Sequence, residues 1–335
     1  MKPVELPLRA LAPAKINLGL FLGPTRPDSR HELVSVMQSI SLADELTLEA
    51  APDADEDEVL CPGVPVENLA ARALAAFRAA TGWGAPPLRL TIDKRIPVAA
   101  GLGGGSADAA AALRLAQAAS GLGDEGLLFV LASELGADVP AQVTPGRWLA
   151  TGAGEVLQAL PEPFSAFGVL VLLPSVAGEQ NEGDGSEAAG MTAGVARLST
   201  AARLSTAEVY AAADRLGLPR DAPDLKERRD ALRAAFELGA ALPADEHLLH
   251  NDLQAAALEL CPQIDAALAH VREAGAEVAL VSGSGPTVLG LFARANGLAR
   301  AQRAAAGLAG LEPAPLTAVP VDAAFATVQR VRTQQ

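Results

Sequence analysis

Aromatic side chains are scarce in this chain: eight phenylalanines, two tryptophans and one tyrosine make up 3% of its 335 residues. A core short of large rings closes by bringing backbones together, so the many alanines predict helices packed through small side chains. Cysteine is scarcer still. Cys61 and Cys261 stand far apart with no metal-ligand spacing, which argues against a disulfide framework or a structural zinc site and predicts a reduced, cytoplasmic setting. No apolar run approaches membrane-spanning length, and Met1 is not followed by a basic and apolar leader, so no membrane association is expected. Positive charge is short as well. Lys and Arg number 26 against 40 Asp and Glu, a net charge of −14, which argues against nucleic acid or an anionic membrane as partner. Only four lysines occur, Lys2, Lys15, Lys94 and Lys226. Where arginine is so favoured, a lysine inside an ordered motif points to a need for a compact ammonium.

What is present suffices for a folded core: 50% of residues are hydrophobic and the mean hydropathy is +0.23. The length allows two domains. The most informative stretch runs from Asp93 to Asp108. An apolar strand pattern (Leu88, Leu90, Ile92) leads into Lys94, Arg95 and Pro97, then Gly101-Leu-Gly-Gly-Gly-Ser106 opens an alanine-rich helix. Glycines let backbone approach a ligand closely, Ser106 is placed to cap the helix, and a helix start offers unpaired N–H groups to an anion. This reads as a phosphate cradle with Lys94 and Arg95 at its entrance. It matches neither common cradle, because no lysine follows the glycines and the Gly-x-Gly-x-x-Gly test fails at Ser106 and at Asp108.

The opening segment alternates: Ala14, Ile16, Leu18, Leu20 and Leu22 fall on one face of a strand, Lys15 and Asn17 on the other. Strands are expected over Leu33 to Ile40 and Glu45 to Glu49, after a turn-rich loop ending at Arg30 and His31. Helices follow: one opened by Asn68 and ending near Gly82, one running to about Ala119, and one from Asp124 to Leu135 with a left-handed cap at Gly136. Asp138 follows, where it could simply cap a short helix. Strands resume from Arg147 to Leu173. Residues Val176 to Arg203 have no useful periodicity and read as an insertion. Helical patterning returns at Thr206, over Asp245 to Leu260 and over Ile264 to Ala274; Ala276 to Phe292 reads as strand, glycine turn, strand. A helix from Asn296 to Ala309 and a strand near Leu316 to Pro320 close the chain.

A lysine on a polar strand face, a non-Walker glycine loop and a late Ser282-Gly-Ser-Gly285 turn together resemble the three motifs of the GHMP small-molecule kinases. Pro13-Ala-Lys-Ile-Asn-Leu18, His31-Glu-Leu33, Glu67-Asn-Leu69, Ile92-Asp-Lys-Arg-Ile-Pro97, Gly101 to Ser106, Leu135-Gly-Ala-Asp-Val-Pro140, Asn251-Asp-Leu253 and Ser282 to Thr287 resemble the branch of that family that phosphorylates a cytidine diphosphate-linked polyol on the way to isoprenoids. The likeness runs from about residue 10 to 293. It implies an α+β, two-domain GHMP-kinase fold. An N-terminal domain like ribosomal protein S5 domain 2 would span 1–165, and a ferredoxin-like α/β domain 166–335, with the low-complexity insertion at about 176–203.

Carried over residue by residue, the resemblance implies Lys15 and Asp138 as the catalytic pair. Pro97, Val98, Ala99, Ala100, Gly101, Leu102, Gly103, Gly104, Gly105, Ser106 and Ala107 match the ATP-phosphate loop, with Lys94 beside it and Asn68 on the adenine side. Mg²⁺ is the expected counter-ion, and Ser106 is its one candidate ligand. Asn17, Arg30, His31, Thr206 and Tyr210 are implied on the substrate side. Arg30 stands where the family usually has a tyrosine, so cytosine is expected between the Arg30 guanidinium and Tyr210, with His31 on its polar edge. Asp108 in the first helical turn is expected to answer the helix dipole. A monomer or homodimer fits. The rivals are a kinase of homoserine or of a mevalonate derivative, and a silent ligand-binding protein on the same scaffold, against which the presence of both Lys15 and Asp138 weighs.

Overall fold

The computed structural model describes residues 5–64, 68–175, 203–293 and 296–331. Apart from Arg203, the expected insertion lies outside them. Two sheets organise the chain. In the first, β1 (Leu8–Thr25) and β2 (His31–Ala50) form a long antiparallel hairpin, joined by β3 (Glu58–Leu60), β4 (Leu88–Asp93), β5 (Arg147–Thr151), β6 (Val156–Ala159) and, from the far end of the chain, β11 (Gln329–Arg330). The two strands expected over 33–49 are one. β2 pairs β5 through Ser35–Gln38 and β4 through Glu45–Ala50. Its two halves therefore have different neighbours, and the apolar pattern changes between them.

One face of this sheet is covered by α1 (Leu69–Thr81), α2 (Gly104–Ser120), α3 (Glu125–Leu135) and the short α4 (Val139–Val143). Leu46, Leu48, Leu90 and Ile92 pack there against Leu74, Phe77 and the alanines of α2. Ala109, Ala110 and Ala111 are all fully buried, so α2 is enclosed on several sides, as small side chains permit. Asn68 and Asp124 cap α1 and α3 with their side chains, and Gly82 ends α1 in the left-handed conformation. Gly136 does not adopt the expected left-handed cap: its φ of 165° is extended backbone, which carries the chain straight into α4.

The second sheet is antiparallel, in the order β10 (Leu316–Ala318), β7 (Gly168–Leu172), β9 (Val288–Phe292), β8 (Val278–Val281). Between β7 and β8 come α5 (Thr206–Arg215), α6 (Ala222–Phe236), α7 (Gln254–Leu260) and α8 (Gln263–Glu273), and α9 (Gly297–Gly307) follows β9. The helix expected to start at Asp245 is only a 3₁₀ turn over Glu246–Leu248. The chain then extends at Asn251 to bridge Leu20 of β1 before α7 begins. α8 and α9 cover one face of the sheet. The other face, through Val169, Val171, Leu289 and Leu291, shares a core with Ile16, Leu18, Val34 and Val36 of the first sheet and with Leu232 and Phe236 of α6.

The even alternation read along β1 does not survive in the fold. A bulge between Asn17 and Gly19 shifts the pairing register and reverses the phase of the strand beyond it. Ala14, Ile16, Leu18 and Phe21 face the shared core, whereas Leu20 and Leu22 pack with Val209, Ala212 and Leu253 on the opposite side. Lys15 and Asn17 therefore share their face with Leu20, and none of the three is a solvated surface residue. Gly19 is required at the bulge because the segment before Asn251 crosses it: an added Cβ would stand 2.5 Å from the Leu248 carbonyl oxygen. Gly19→Ala is expected to destabilise the protein by about 1–3 kcal/mol, the usual penalty for overpacking. Urea unfolding would measure it, and an unchanged midpoint would mean that residues 248–251 yield freely.

Candidate active site

The bulged strand, the glycine loop, α5 and the β8–β9 turn enclose a cleft of about 1010 Å³. Every residue assigned above to catalysis, nucleotide or substrate borders it except Ala107, which points into the α1–α2 core.

The loop owes its shape to close approach. Gly101 and Gly103 have φ of 76° and 70°. A Cβ on Gly101 would lie 2.4 Å from the Ser282 carbonyl oxygen, and one on Gly103 would lie 2.9 Å from Lys15 Cγ. The loop is thus pinned between the late turn and the lysine stem. The Lys15 N–H donates to the Leu102 carbonyl at 2.9 Å, and Ser282 Oγ donates to the Gly101 carbonyl at 3.2 Å. Asn251 fastens the turn in its place through bonds to the Val281 and Gly283 carbonyls. α2 begins at Gly104 with Gly103 as N-cap and no side-chain cap. Ser106 therefore does not cap the helix as expected. It sits inside the first turn, and the leading N–H groups open into the cleft, where an anion would be favoured.

Lys94 is not an entrance cation. It lies buried beneath the first turn of α2, with its ammonium held by both Asp44 and Asp108. Asp44 also accepts the backbone N–H groups of Arg95 and Ile96 at 2.5 and 2.8 Å, which fixes the exit from β4. Asp108 is accordingly a partner of Lys94 and not a surface answer to the helix dipole. Burial, and the nearby Asp44 charge, push its carboxyl well above the usual carboxylate range against the pull of Lys94. A carboxyl raised in this way carries its negative charge less readily beneath a loop suited to phosphate. Asn68 spends its side-chain oxygen on the Ala70 N–H at 2.8 Å, the capping role, while its residue borders the cleft.

On the other wall Lys15 Nζ donates to Asn17 Oδ1 at 2.9 Å and stands 3.3 Å from Asp138 Oδ2. Asn17 Nδ2 donates to Ser35 Oγ at 2.7 Å, and Ser35 Oγ donates to the Gly19 carbonyl at 2.7 Å. This chain of bonds fixes the direction of the ammonium. Asp138 makes no capping bond to α4; its carboxylate, about one-third exposed, turns to Lys15 instead. Arg114 of α2 ties the two supporting segments together. Its guanidinium donates to the Leu11 carbonyl of β1 at 2.9 Å and to the Gln142 carbonyl of α4 at 2.5 Å.

The residues expected around a base are also close to one another. His31 is buried, its Nε2 2.8 Å from Asp214 Oδ1 and 3.3 Å from Thr25 Oγ1, and its ring centroid lies 5.4 Å from that of Tyr210. Burial first, then the Asp138 charge, push the Tyr210 phenol up to about 12, so it stays neutral. Thr206 Oγ1 lies 3.1 Å from Ser284 Oγ and joins α5 to the late turn. Arg30 is held edge-on by Asp28, with Nε and Nη2 donating to Oδ2 at 3.0 and 2.8 Å; such pairing leaves the planar faces to stack. Asp214 was missed in the sequence, although its spacing of four from Tyr210 puts it on the same helix face. Among the described residues no cluster of three or more His, Cys, Asp or Glu is arranged to hold a metal, and no helix is long and apolar enough to cross a membrane.

Comparison with known proteins agrees along the chain. Residues 68–146 match the GHMP kinases N terminal domain and residues 225–309 the GHMP kinases C terminal domain. The 4-diphosphocytidyl-2-C-methyl-D-erythritol kinase of Nocardioides sp. is 39% identical over 311 residues, covering 89% of this chain and 92% of its own. That of Streptomyces coelicolor is 40% identical over 318 residues, covering 89% and 95%. A crystal structure of 4-(cytidine 5'-diphospho)-2C-methyl-D-erythritol kinase superposes with a TM-score of 0.69 at 31% identity over 93% of this chain and 98% of that one. Homoserine kinase from Cytophaga hutchinsonii, at 16% identity and a TM-score of 0.64, shares the fold. The chain is a small-molecule kinase of the GHMP family, and within it belongs to the 4-diphosphocytidyl-2-C-methyl-D-erythritol kinases.

Proposed function

We propose that this cleft transfers the γ-phosphoryl group of ATP to the 2-hydroxyl of 4-diphosphocytidyl-2-C-methyl-D-erythritol. The observation that carries the reading is the Lys15–Asp138 pair, 3.3 Å apart and hydrogen-bonded through the Lys15 backbone to the glycine loop. Asp138 is the group that orients the acceptor hydroxyl and takes its proton. Lys15, with one N–H donor engaged by Asn17 and its ammonium 3.3 Å from Asp138 Oδ2, has donor capacity left for a phosphoryl oxygen. The uncapped N–H groups of α2 hold the ATP phosphates, with Lys94 as a support from beneath.

Mg²⁺ ordinarily keeps several waters and binds through substrate phosphates with few protein ligands. The cleft suits that mode, since it offers the Ser106 hydroxyl beside the loop and, among the described residues, no carboxylate cage. Mg²⁺ would supply charge neutralisation on the phosphates. On the acceptor side, Arg30, His31 and Tyr210 receive cytosine, with Asn17 and Thr206 lining the path toward the reacting hydroxyl.

Purified protein given ATP, Mg²⁺ and 4-diphosphocytidyl-2-C-methyl-D-erythritol is expected to release ADP and a phosphorylated product, with homoserine and mevalonate left untouched. Turnover of homoserine without turnover of the cytidine compound would sink the assignment. Asp138→Asn should lower kcat by about 10²–10⁴-fold, the range for losing a positioned base, while ATP affinity measured by calorimetry stays near wild type. An unaltered kcat would remove Asp138 from that role. Arg30→Tyr should leave or lower KM for the cytidine substrate. A large rise would mean that Arg30 contacts the diphosphate and does not stack.

A further inference from the structure

α5 turns three residues to the cleft at four-residue intervals, Thr206, Tyr210 and Asp214. The third has no role in the reading above. Asp214 is about half exposed, and its one ion-pair partner among the described residues is His31. That pairing joins segments 183 residues apart in sequence at 2.8 Å. His31 itself is 6% exposed. Its Nε2 is met by Asp214 and Thr25, its ring is braced by Tyr210, and its Nδ1 has no hydrogen-bond partner among the described residues. The ring borders the cleft.

An ionised carboxylate can only accept a hydrogen bond, so Nε2 must carry the proton that is shared with it. A neutral imidazole protonated there has its lone pair on Nδ1. We propose that Asp214 is a specificity-determining, positioning residue. By holding His31 as the Nε2–H tautomer, it leaves Nδ1 as an acceptor that favours a base bearing an exocyclic amine over one bearing a carbonyl at the same position. Cytosine offers an N–H₂ donor on that edge, where uracil would present an oxygen. An oxygen facing the Nδ1 lone pair leaves two acceptors opposed. This inference rests on the placement of cytosine beside His31 proposed above, and it adds the element that makes the histidine selective.

The test separates the base preference from catalysis. Calorimetric Kd values for cytidine diphosphate and uridine diphosphate, with ADP present to fill the phosphate loop, are compared for wild type, Asp214→Asn and Asp214→Glu. Cytidine-substrate kinetics are followed alongside. The wild type is expected to prefer the cytidine ligand. Asp214→Asn, whose amide can donate to Nε2 and let the proton move to Nδ1, is expected to shrink that preference by roughly tenfold or more, as a buried hydrogen-bond mismatch is relieved or created. Asp214→Asn should raise KM for the cytidine substrate more than it alters kcat, and Asp214→Glu, which still presents a carboxylate to Nε2, should keep the preference. Equal binding of the two ligands by wild type overturns the proposal, and so does an Asp214→Asn variant that keeps the wild-type ratio, even if it weakens both ligands together. A wild type that prefers cytidine diphosphate yet fails to phosphorylate the cytidine-linked polyol would instead count against the proposed reaction.

Discussion

A lysine enclosed in a fold is tolerable only where its charge is met and its direction fixed, and much of this molecule meets that condition at Lys15. Asn17 and Asp138 receive the ammonium, Ser35 holds Asn17, and the Gly19 carbonyl anchors Ser35. The backbone at Lys15 ties the glycine loop to β1, while Gly103 lies against the lysine stem. The bulge just beyond Asn17 turns the rest of the strand over. One strand thereby supplies the shared core with Ile16 and Leu18 and the cleft with Lys15, Asn17 and Leu20. A regular strand would keep Leu20 on the core face and open the cleft wall.

The family and the broad architecture were legible because they rest on motifs whose backbone demands are severe. Glycines that cannot accept a Cβ, a Ser-Gly-Ser-Gly turn and an Asn-Asp pair that bridges two segments leave a strong imprint on a sequence. Helices with local signals were legible too: Asn68 and Asp124 cap where they were expected to. α6 carried such a signal in Asp221 followed by Pro223, with Leu225, Leu232 and Phe236 at helical spacing. It was overlooked because it is rich in charge and its inward residues are spread over three turns.

The failures share a physical origin in tertiary contact. Alternation along β1 could not disclose a bulge, because the extra residue is accommodated by partners in β2 and near Leu248 that are remote in sequence. Lys94 read as an entrance cation until Asp44, fifty positions earlier, closed over it. Ser106 looked like a cap because serine usually is one, whereas the N-cap is Gly103, three residues sooner. Asp214 shows only a shared helix face with Tyr210 until His31 lies opposite. What a residue touches across the fold decided each of these.

Arg114 has a different kind of consequence. The partners named for its guanidinium are main-chain carbonyls, at Leu11, Gln142 and Val143. Such a strut reads the path of the backbone and is indifferent to the side chains at those three positions. A different side chain at any of the three would leave these bonds, and with them the span between Lys15 on β1 and Asp138 before α4, in place. The alignment of β1 with α4 is thus fixed at these points by main chain alone, whatever side chains the three positions carry.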